Sequence, residues 1–232
     1  MSKRNIILTL VFVVIVILEL AGNLLDNITL EYFTRPLIMV WIATYFLLNS
    51  KKKSFRTGVL IAFFFSWAGD MLMMLSDVND NELFVYAGFG GFFIAQIAYI
   101  FVFFLKTEND IKGFLLRNPL WIIPLVGYGV LIYMTLYPRL EGMMVWIILI
   151  YAISLIGMSL AALNRRDRVG HRSFQLVFTG AVFFVISDSM IAVNEFHTEF
   201  PQAGFLIMFS YIAAQYLIMN GLILEKEKPS ER

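Results

Sequence analysis

The chain has no cysteine, only two histidines and few charged residues. Without cysteine it forms no disulfide bond, uses no thiol nucleophile and ligates no iron–sulfur cluster. The histidines, His171 and His197, fall in predicted loops, and no zinc-type ligand cluster can be assembled from them. A net charge of +1 leaves no clustered basic excess, so we expect no nucleic-acid partner.

Two common families of catalytic motif are also missing. Gly88-x-Gly90 lies inside an apolar run and lacks the strand–turn–helix context of a nucleotide-binding fingerprint. No serine stands in a nucleophile elbow, and no triad histidine occurs within an apolar segment. Acyl transfer through a serine is therefore not expected.

Apolar residues dominate what remains. The 232 residues are 59% hydrophobic and 15% charged, with a mean hydropathy of +0.77, which is too apolar for one soluble core. A helix needs about 20 apolar residues to cross a bilayer. The sequence predicts a single all-α transmembrane domain over 1–232 with eight transmembrane helices, near 5–25, 33–49, 57–76, 82–105, 118–137, 140–163, 173–195 and 202–224.

The positions of lysine and arginine predict the orientation of these helices. Cytoplasmic loops carry the positive excess, and every Lys and Arg except Arg35 and Arg139 falls on the side of the N-terminus. Both termini are therefore expected in the cytoplasm. The first segment follows a short basic stretch but has no small-x-small cleavage site, so we expect a retained anchor. We expect an integral protein of a bacterial inner membrane.

Two aspartates interrupt the apolar segments. Asp70 lies past the middle of the third segment and Asp188 past the middle of the seventh, so both carboxyls are expected at similar depth in the outer half of the bilayer. An ionised Asp at the bilayer centre costs roughly 2.5–3.5 kcal/mol on insertion scales. Two such groups indicate a shared working site, although a protonated carboxyl that only joins helices is the structural alternative.

The spacing of polar residues suggests an internal repeat. Asp70 and Asp188 are 118 residues apart, and Gln96 and Gln215 are 119 apart. Four segments separate the copies, so a tandem 4+4 repeat about an axis along the membrane normal is possible.

Several other polar side chains could line one cavity with the aspartates. Tyr211 and Gln215, at i and i+4, share one face of the eighth segment. Helix–helix hydrogen bonding is the alternative for both glutamines. Glu19 is expected to extend to the outer interface. One of the serines beside Asp188 should bond the preceding turn. The candidate supporting residues are Gln96, Tyr99, Ser187, Tyr211, Gln215 and Glu19.

The residues alone leave the class of function open. Buried carboxyls at a repeat interface suit an enzyme, and they equally suit a proton-coupled transporter or a lipid-binding membrane protein. A structural or sensory membrane protein is a third possibility.

Five stretches of the sequence resemble the YhhN family of membrane proteins, which contains the lysoplasmalogenases. The resemblance extends from the second segment to the eighth. Two positions depart from the pattern, since the family often has His at Gln96 and Lys at Arg35. The matching stretches are Thr34-Arg35-Pro36-Leu37, Gly69-Asp70-Met71-Leu72, Phe92-Phe93-Ile94-Ala95-Gln96-Ile97-Ala98-Tyr99, Gly180 through Ser189, and Tyr211 through Ile218.

The resemblance implies hydrolysis of the vinyl-ether bond of a lysophospholipid or another ether lipid in the bilayer. The products would be a fatty aldehyde and glycerophospho-ethanolamine or -choline. It implies Asp70 and Asp188 as the catalytic acid and base, with their individual roles left open. No metal and no organic cofactor is needed. A glutamine at position 96 can hydrogen-bond but cannot carry a proton as His does.

Overall fold

The computed structural model describes residues 3–51, 54–79, 82–105 and 112–225, and all regular structure in these ranges is helical. Two short 3-10 turns, Pro119–Trp121 and Tyr137–Arg139, flank the helix Ile122–Leu136. The α-helices are α1 Lys3–Leu24, α2 Ile28–Asn49, α3 Arg56–Asn79, α4 Glu82–Phe104, α5 Phe114–Arg117, α6 Ile122–Leu136, α7 Met144–Leu163, α8 His171–Phe196 and α9 Ala203–Ile223.

The long helices have the character of membrane spans. Seven of the described stretches are long and apolar enough to cross a bilayer, and α2 is the long helix outside this set. It has 22 residues, but Glu31 and Arg35 lower its apolar character. Large apolar side chains are exposed on the outer helices, as with Ile17 of α1 and Leu131 of α6 at 60% and 63%. Such exposure suits contact with lipid. The chain is an integral membrane protein.

Six helices form a closed ring in the order α2, α3, α4, α7, α8, α9, with α9 packing back on α2. Outside the ring, α1 lies against α2 and α9, and α6 lies against α7 and α8. In this order α3 is opposite α8 and α4 is opposite α9. A tandem repeat of four spans would produce the same order, and the repeat itself stays a prediction.

Glycines bring the two helices of each hairpin close together. A Cβ at Gly91 of α4 would lie 3.0 Å from the backbone nitrogen of Gly69 on α3 and 3.1 Å from the carbonyl oxygen of Phe65. In the second hairpin, a Cβ at Gly180 of α8 would lie 2.8 Å from the carbonyl oxygen of Ala214 on α9. Small residues allow this kind of close helix approach in membranes.

Some helix ends differ from those that the sequence predicts. Helix α2 begins five residues before the predicted segment because Asn27 caps it, accepting a bond from the backbone N–H of Leu30 at 3.1 Å. Helix α7 begins four residues later than predicted, after a turn in which Gly142 has φ +54°. His171 is not in a loop, as the sequence suggested, but is the first residue of α8.

The number of spans and their orientation stay predictions. The basic residues on which the orientation depends lie partly at 52–53, 106–111 and 226–232, outside the described residues.

Adjacent glycines of α4 provide a matched pair of substitutions. We expect Gly91→Ala to destabilise the protein by about 1–3 kcal/mol, since the added methyl meets the α3 backbone, which cannot move aside locally. Gly90→Ala, the control, has nothing within 4 Å of its Cβ and should be neutral or slightly stabilising. Thermal unfolding of the purified variants in detergent micelles measures the difference. Equal unfolding midpoints for the two variants would contradict the close α3–α4 contact.

Candidate active site

A cavity of about 540 Å³ opens at one end of the bundle. The α1–α2 turn, the first turns of α2, the C-terminal half of α8 and the start of α9 surround it, and α3 and α4 contribute Asp70, Met73 and Phe92. These connections are the ones predicted to lie on the outer side. The polar lining residues are Asn23, Asp26, Glu31, Arg35, Asp70, Ser187, Asn194, Glu195, Gln202 and Tyr211.

Of the two candidate catalytic aspartates, Asp70 faces this cavity. It is 5% exposed, and its Oδ2 accepts a hydrogen bond of 2.7 Å from the hydroxyl of Tyr211, which also lines the cavity. The ring of Tyr211 packs edge-on against Phe92 and Phe184, at centroid distances of 6.0 Å in both cases. This packing fixes the direction of the hydroxyl toward Asp70.

Asp188 lies within the bundle and does not line the cavity. Its Oδ2 accepts a bond of 3.0 Å from the amide of Gln96 and another from the hydroxyl of Tyr151, whereas its buried Oδ1 has no hydrogen-bond partner among the described residues. Ser154 in turn donates to the amide oxygen of Gln96. Both donors to Asp188 therefore meet on one oxygen.

Aromatic rings pack around Tyr151, which donates to Asp188. The ring of Phe89 packs edge-on against Tyr151, with centroids 5.1 Å apart, and lies 5.8 Å from the ring of Phe196. The surroundings of the two aspartates thus differ, because one borders a cavity and the other borders a packed aromatic cluster.

A further pair of hydrogen bonds joins the hairpins. The hydroxyl of Tyr99 on α4 donates to the amide oxygen of Gln215 on α9 at 2.5 Å. The amide nitrogen of Gln215 donates to the hydroxyl of Ser66 on α3 at 3.0 Å. Tyr99 and Gln215 are fully buried. The predicted polar faces of α4 and α9 therefore meet inside the ring, as helix–helix hydrogen bonds.

Glu19 is buried and ion-paired, so the expectation that it extends to the interface is wrong. Its side chain is fully buried and accepts from Arg35 Nε at 3.0 Å, from the Thr34 hydroxyl at 2.5 Å and from Asn23 Nδ2 at 3.1 Å. Arg35 also pairs with Glu31 through Nη2. A buried carboxylate with these donors costs far less than an unpaired one, which explains why it stays inside.

Ser187 is one of the two serines beside Asp188, of which one was expected to bond the preceding turn. Ser187 lines the cavity and donates to the carbonyl oxygen of Ile207 on α9 at 3.1 Å, rather than to the preceding turn of its own helix. It therefore joins the two helices of the second hairpin at the cavity wall.

The predicted residues divide into two groups. Of the eight candidate residues, Asp70, Ser187 and Tyr211 line the cavity. The expectation that all eight share one cavity is therefore wrong. Long side chains reach across the ring and pack there instead of opening to the cavity. The group away from the lining consists of Asp188, Gln96, Tyr99, Gln215 and Glu19.

Besides the polar lining residues at the mouth, Tyr151, Ser154, Ser66 and Arg35 belong to the site and were not among the candidates. Tyr151 and Ser154, at i and i+3, are a polar pair in the apolar run of α7, and Ser66 precedes Asp70 by one helical turn. These spacings were the available signals. Arg35 entered only through topology and resemblance. Within the described residues, no group of three or more His, Asp or Glu side chains could hold a metal ion.

Comparison with known proteins finds lysoplasmalogenases that are similar in sequence to this chain. Over 175 residues the chain is 28% identical to lysoplasmalogenase TMEM86A of Bos taurus and 29% identical to lysoplasmalogenase TMEM86A of Homo sapiens. Each alignment covers 74% of this chain and 67% of the relative. No solved structure matches the chain.

The family model of the YhhN family matches residues 30–222. The match begins in α2, includes the cavity lining from Glu31 to Tyr211 and ends in α9. This integral membrane protein belongs to the YhhN family.

Proposed function

We propose that the protein is a membrane-embedded hydrolase that cleaves the vinyl-ether bond of a lysoplasmalogen. The products are a fatty aldehyde and glycerophospho-ethanolamine or -choline. The observation that carries the proposal is the carboxyl group of Asp70 in the wall of a cavity, in a chain that resembles two lysoplasmalogenases. Pockets of this size suit a small ligand or part of a lipid.

The chemistry of an enol ether requires one acid and one base. A carboxylic acid transfers its proton to the outer alkene carbon, and the π electrons of the double bond form the new C–H bond. An oxocarbenium ion remains at the carbon attached to oxygen. Water adds to this carbon and gives its proton to a carboxylate. As the C–O bond of the hemiacetal breaks, the base returns its proton to the glycerol oxygen and the hemiacetal O–H proton passes to the acid, which leaves an alcohol and the aldehyde.

In this proposal Asp70 is the base. It lines the cavity together with Arg35, and it accepts a hydrogen bond from Tyr211. The donated hydrogen bond favours the ionised carboxylate. That carboxylate can stabilise the oxocarbenium ion and accept the proton of water.

Asp188 is the proposed acid. Two donors occupy Oδ2, so a proton on this carboxyl belongs on Oδ1, where no described residue accepts it. An unpaired buried carboxylate oxygen is costly, which favours the protonated form. The role requires the alkene to reach Asp188 past the wall beside Ser187.

Substitution of the aspartates tests the acid–base pair. We expect Asp70→Asn and Asp188→Asn each to lower kcat by about 10²–10⁴-fold, because each removes one proton-transfer group. Aldehyde release from an alkenyl lysolipid is the measurement. Asp167→Asn, at an exposed ion pair with Arg117 away from the cavity, is the control and should keep full activity. Normal turnover by both variants in a folded state contradicts the proposal.

Chemical rescue separates the two roles. In Asp70→Gly, formate should restore part of the activity, because a small carboxylate can act as the missing base in the open cavity. In Asp188→Gly, formate should not do so, because formate is ionised near neutral pH and cannot supply the missing proton. Rescue of the second variant alone would reverse the assignment.

The contribution of Tyr211 can be measured by removing its hydroxyl. Tyr211→Phe keeps the ring contacts with Phe92 and Phe184 and loses the bond to Asp70, so we expect kcat to fall by roughly tenfold. Tyr133→Phe, the control, loses a bond to the Val145 carbonyl in α7 and should not change kcat. Unchanged turnover by Tyr211→Phe would remove this bond from the mechanism.

A panel of lysolipids tests the bond that is cleaved. With alkenyl, alkyl and acyl lysolipids of equal chain length, mass spectrometry should find fatty aldehyde from the alkenyl lipid alone. Products from the acyl lipid alone would overturn the vinyl-ether mechanism. Movement of lipid across vesicles without chemical change would favour the transporter hypothesis instead.

A further inference from the structure

The mouth of the cavity contains two unusual backbone conformations. Among the described residues, three that are not glycine have positive φ, and two of them, Asp26 at 49° and Gln202 at 59°, line this cavity. Left-handed backbone is rare for a residue such as glutamine and tends to occur at functional sites. Asp26 ends the turn after α1, and Gln202 directly precedes α9.

Close packing holds these two turns together. A Cβ at Gly204 of α9 would lie 2.6 Å from Oδ1 of Asn23, so the end of α1 and the start of α9 are in direct contact. Asn23 also donates to Glu19, the partner of Arg35. The mouth is thus tied to the buried ion pair by a chain of contacts.

A buried cation and an exposed carboxylate lie at different depths in the cavity lining. Arg35, the one cation among the described lining residues, is 9% exposed, while Asp26 is exposed. Glu19 and Glu31 neutralise Arg35 through Nε and Nη2, but a guanidinium has five N–H donors, so N–H groups of Arg35 remain for a phosphate oxygen. The carboxylate of Asp26 attracts a cationic group near the mouth.

This arrangement matches a phospholipid headgroup in which an ammonium follows the phosphate. We propose that Asp26 is a specificity-determining residue that selects lipid headgroups ending in a positively charged amine, while Arg35 donates hydrogen bonds to the phosphate. Glu195, which also lines the cavity, adds negative charge to this region. The inference rests on the proposed function and assigns the recognition of the headgroup to particular residues.

The test compares two alkenyl lysolipids of equal chain length, one with an ethanolamine and one with a glycerol headgroup. The full-length protein in nanodiscs should have the higher kcat/KM for the ethanolamine lipid, and added salt should reduce the preference. Asp26→Asn keeps a residue that tolerates positive φ, and it should raise KM for the ethanolamine lipid about two- to fivefold with kcat unchanged. Asp26→Lys should raise KM for the ethanolamine lipid by roughly tenfold and lower KM for the glycerol lipid.

Asp167→Asn is the matched control, since Asp167 also has positive φ, at 66°, but does not line the cavity. Glu195→Gln provides a second variant if Asp26 variants fold poorly, and it should shift KM in the same direction. Equal changes in KM for both headgroups, or no headgroup preference in the unmodified protein, would overturn the inference.

Binding of uncleavable lipids keeps this test separate from the proposed function. Alkyl-ether lysolipids with the same two headgroups should raise the unfolding temperature unequally, with the ethanolamine lipid giving the larger shift. A preference in binding without any turnover supports the headgroup site and contradicts the hydrolase proposal. Turnover of alkenyl lipids without a headgroup preference supports the hydrolase proposal and contradicts the headgroup site.

Discussion

Hydrogen bonds from one hairpin to the carboxyls of the other allow this ring of helices to enclose two aspartates. Tyr211 of α9 donates to Asp70 of α3, and Gln96 of α4 donates to Asp188 of α8. A carboxyl without such donors is expensive in an apolar interior. The glycines that bring α3 close to α4 and α8 close to α9 therefore serve the same end, because they place both hairpins as rigid units facing one another.

The two aspartates have similar positions in the ring but different surroundings. Asp188 accepts from Tyr151, whose ring packs against Phe89, and Phe89 in turn packs against Phe196. Beside Asp70 the corresponding region is open and leads to the mouth of the cavity. If the two halves are repeats with one aspartate site each, the site of Asp70 is the one that stays open for a ligand. The filled site would hold the other carboxyl in a fixed position.

The sequence predicted the helical class and most helix positions, and it singled out Asp70 and Asp188 as candidates, because long apolar runs and isolated charges are local signals. It also placed Tyr99 and Gln215 on faces that meet. It could not show that Glu19 pairs with Arg35, since that contact depends on how α1 packs against α2. Nor could it show that Asp188 lies behind the cavity wall, because the depth of a side chain within the ring depends on how aromatic residues of α4 and α7 pack against α8.

The lining of the cavity has a chemical consequence for the proposed aldehyde product. Fatty aldehydes form Schiff bases with lysine amines and adducts with thiols and imidazoles. The described lining residues include no lysine and no histidine, the chain has no cysteine, and the one cation is a guanidinium held by two carboxylates. An aldehyde formed in the proposed reaction would therefore leave this cavity without passing a lysine, histidine or cysteine side chain among the described lining residues.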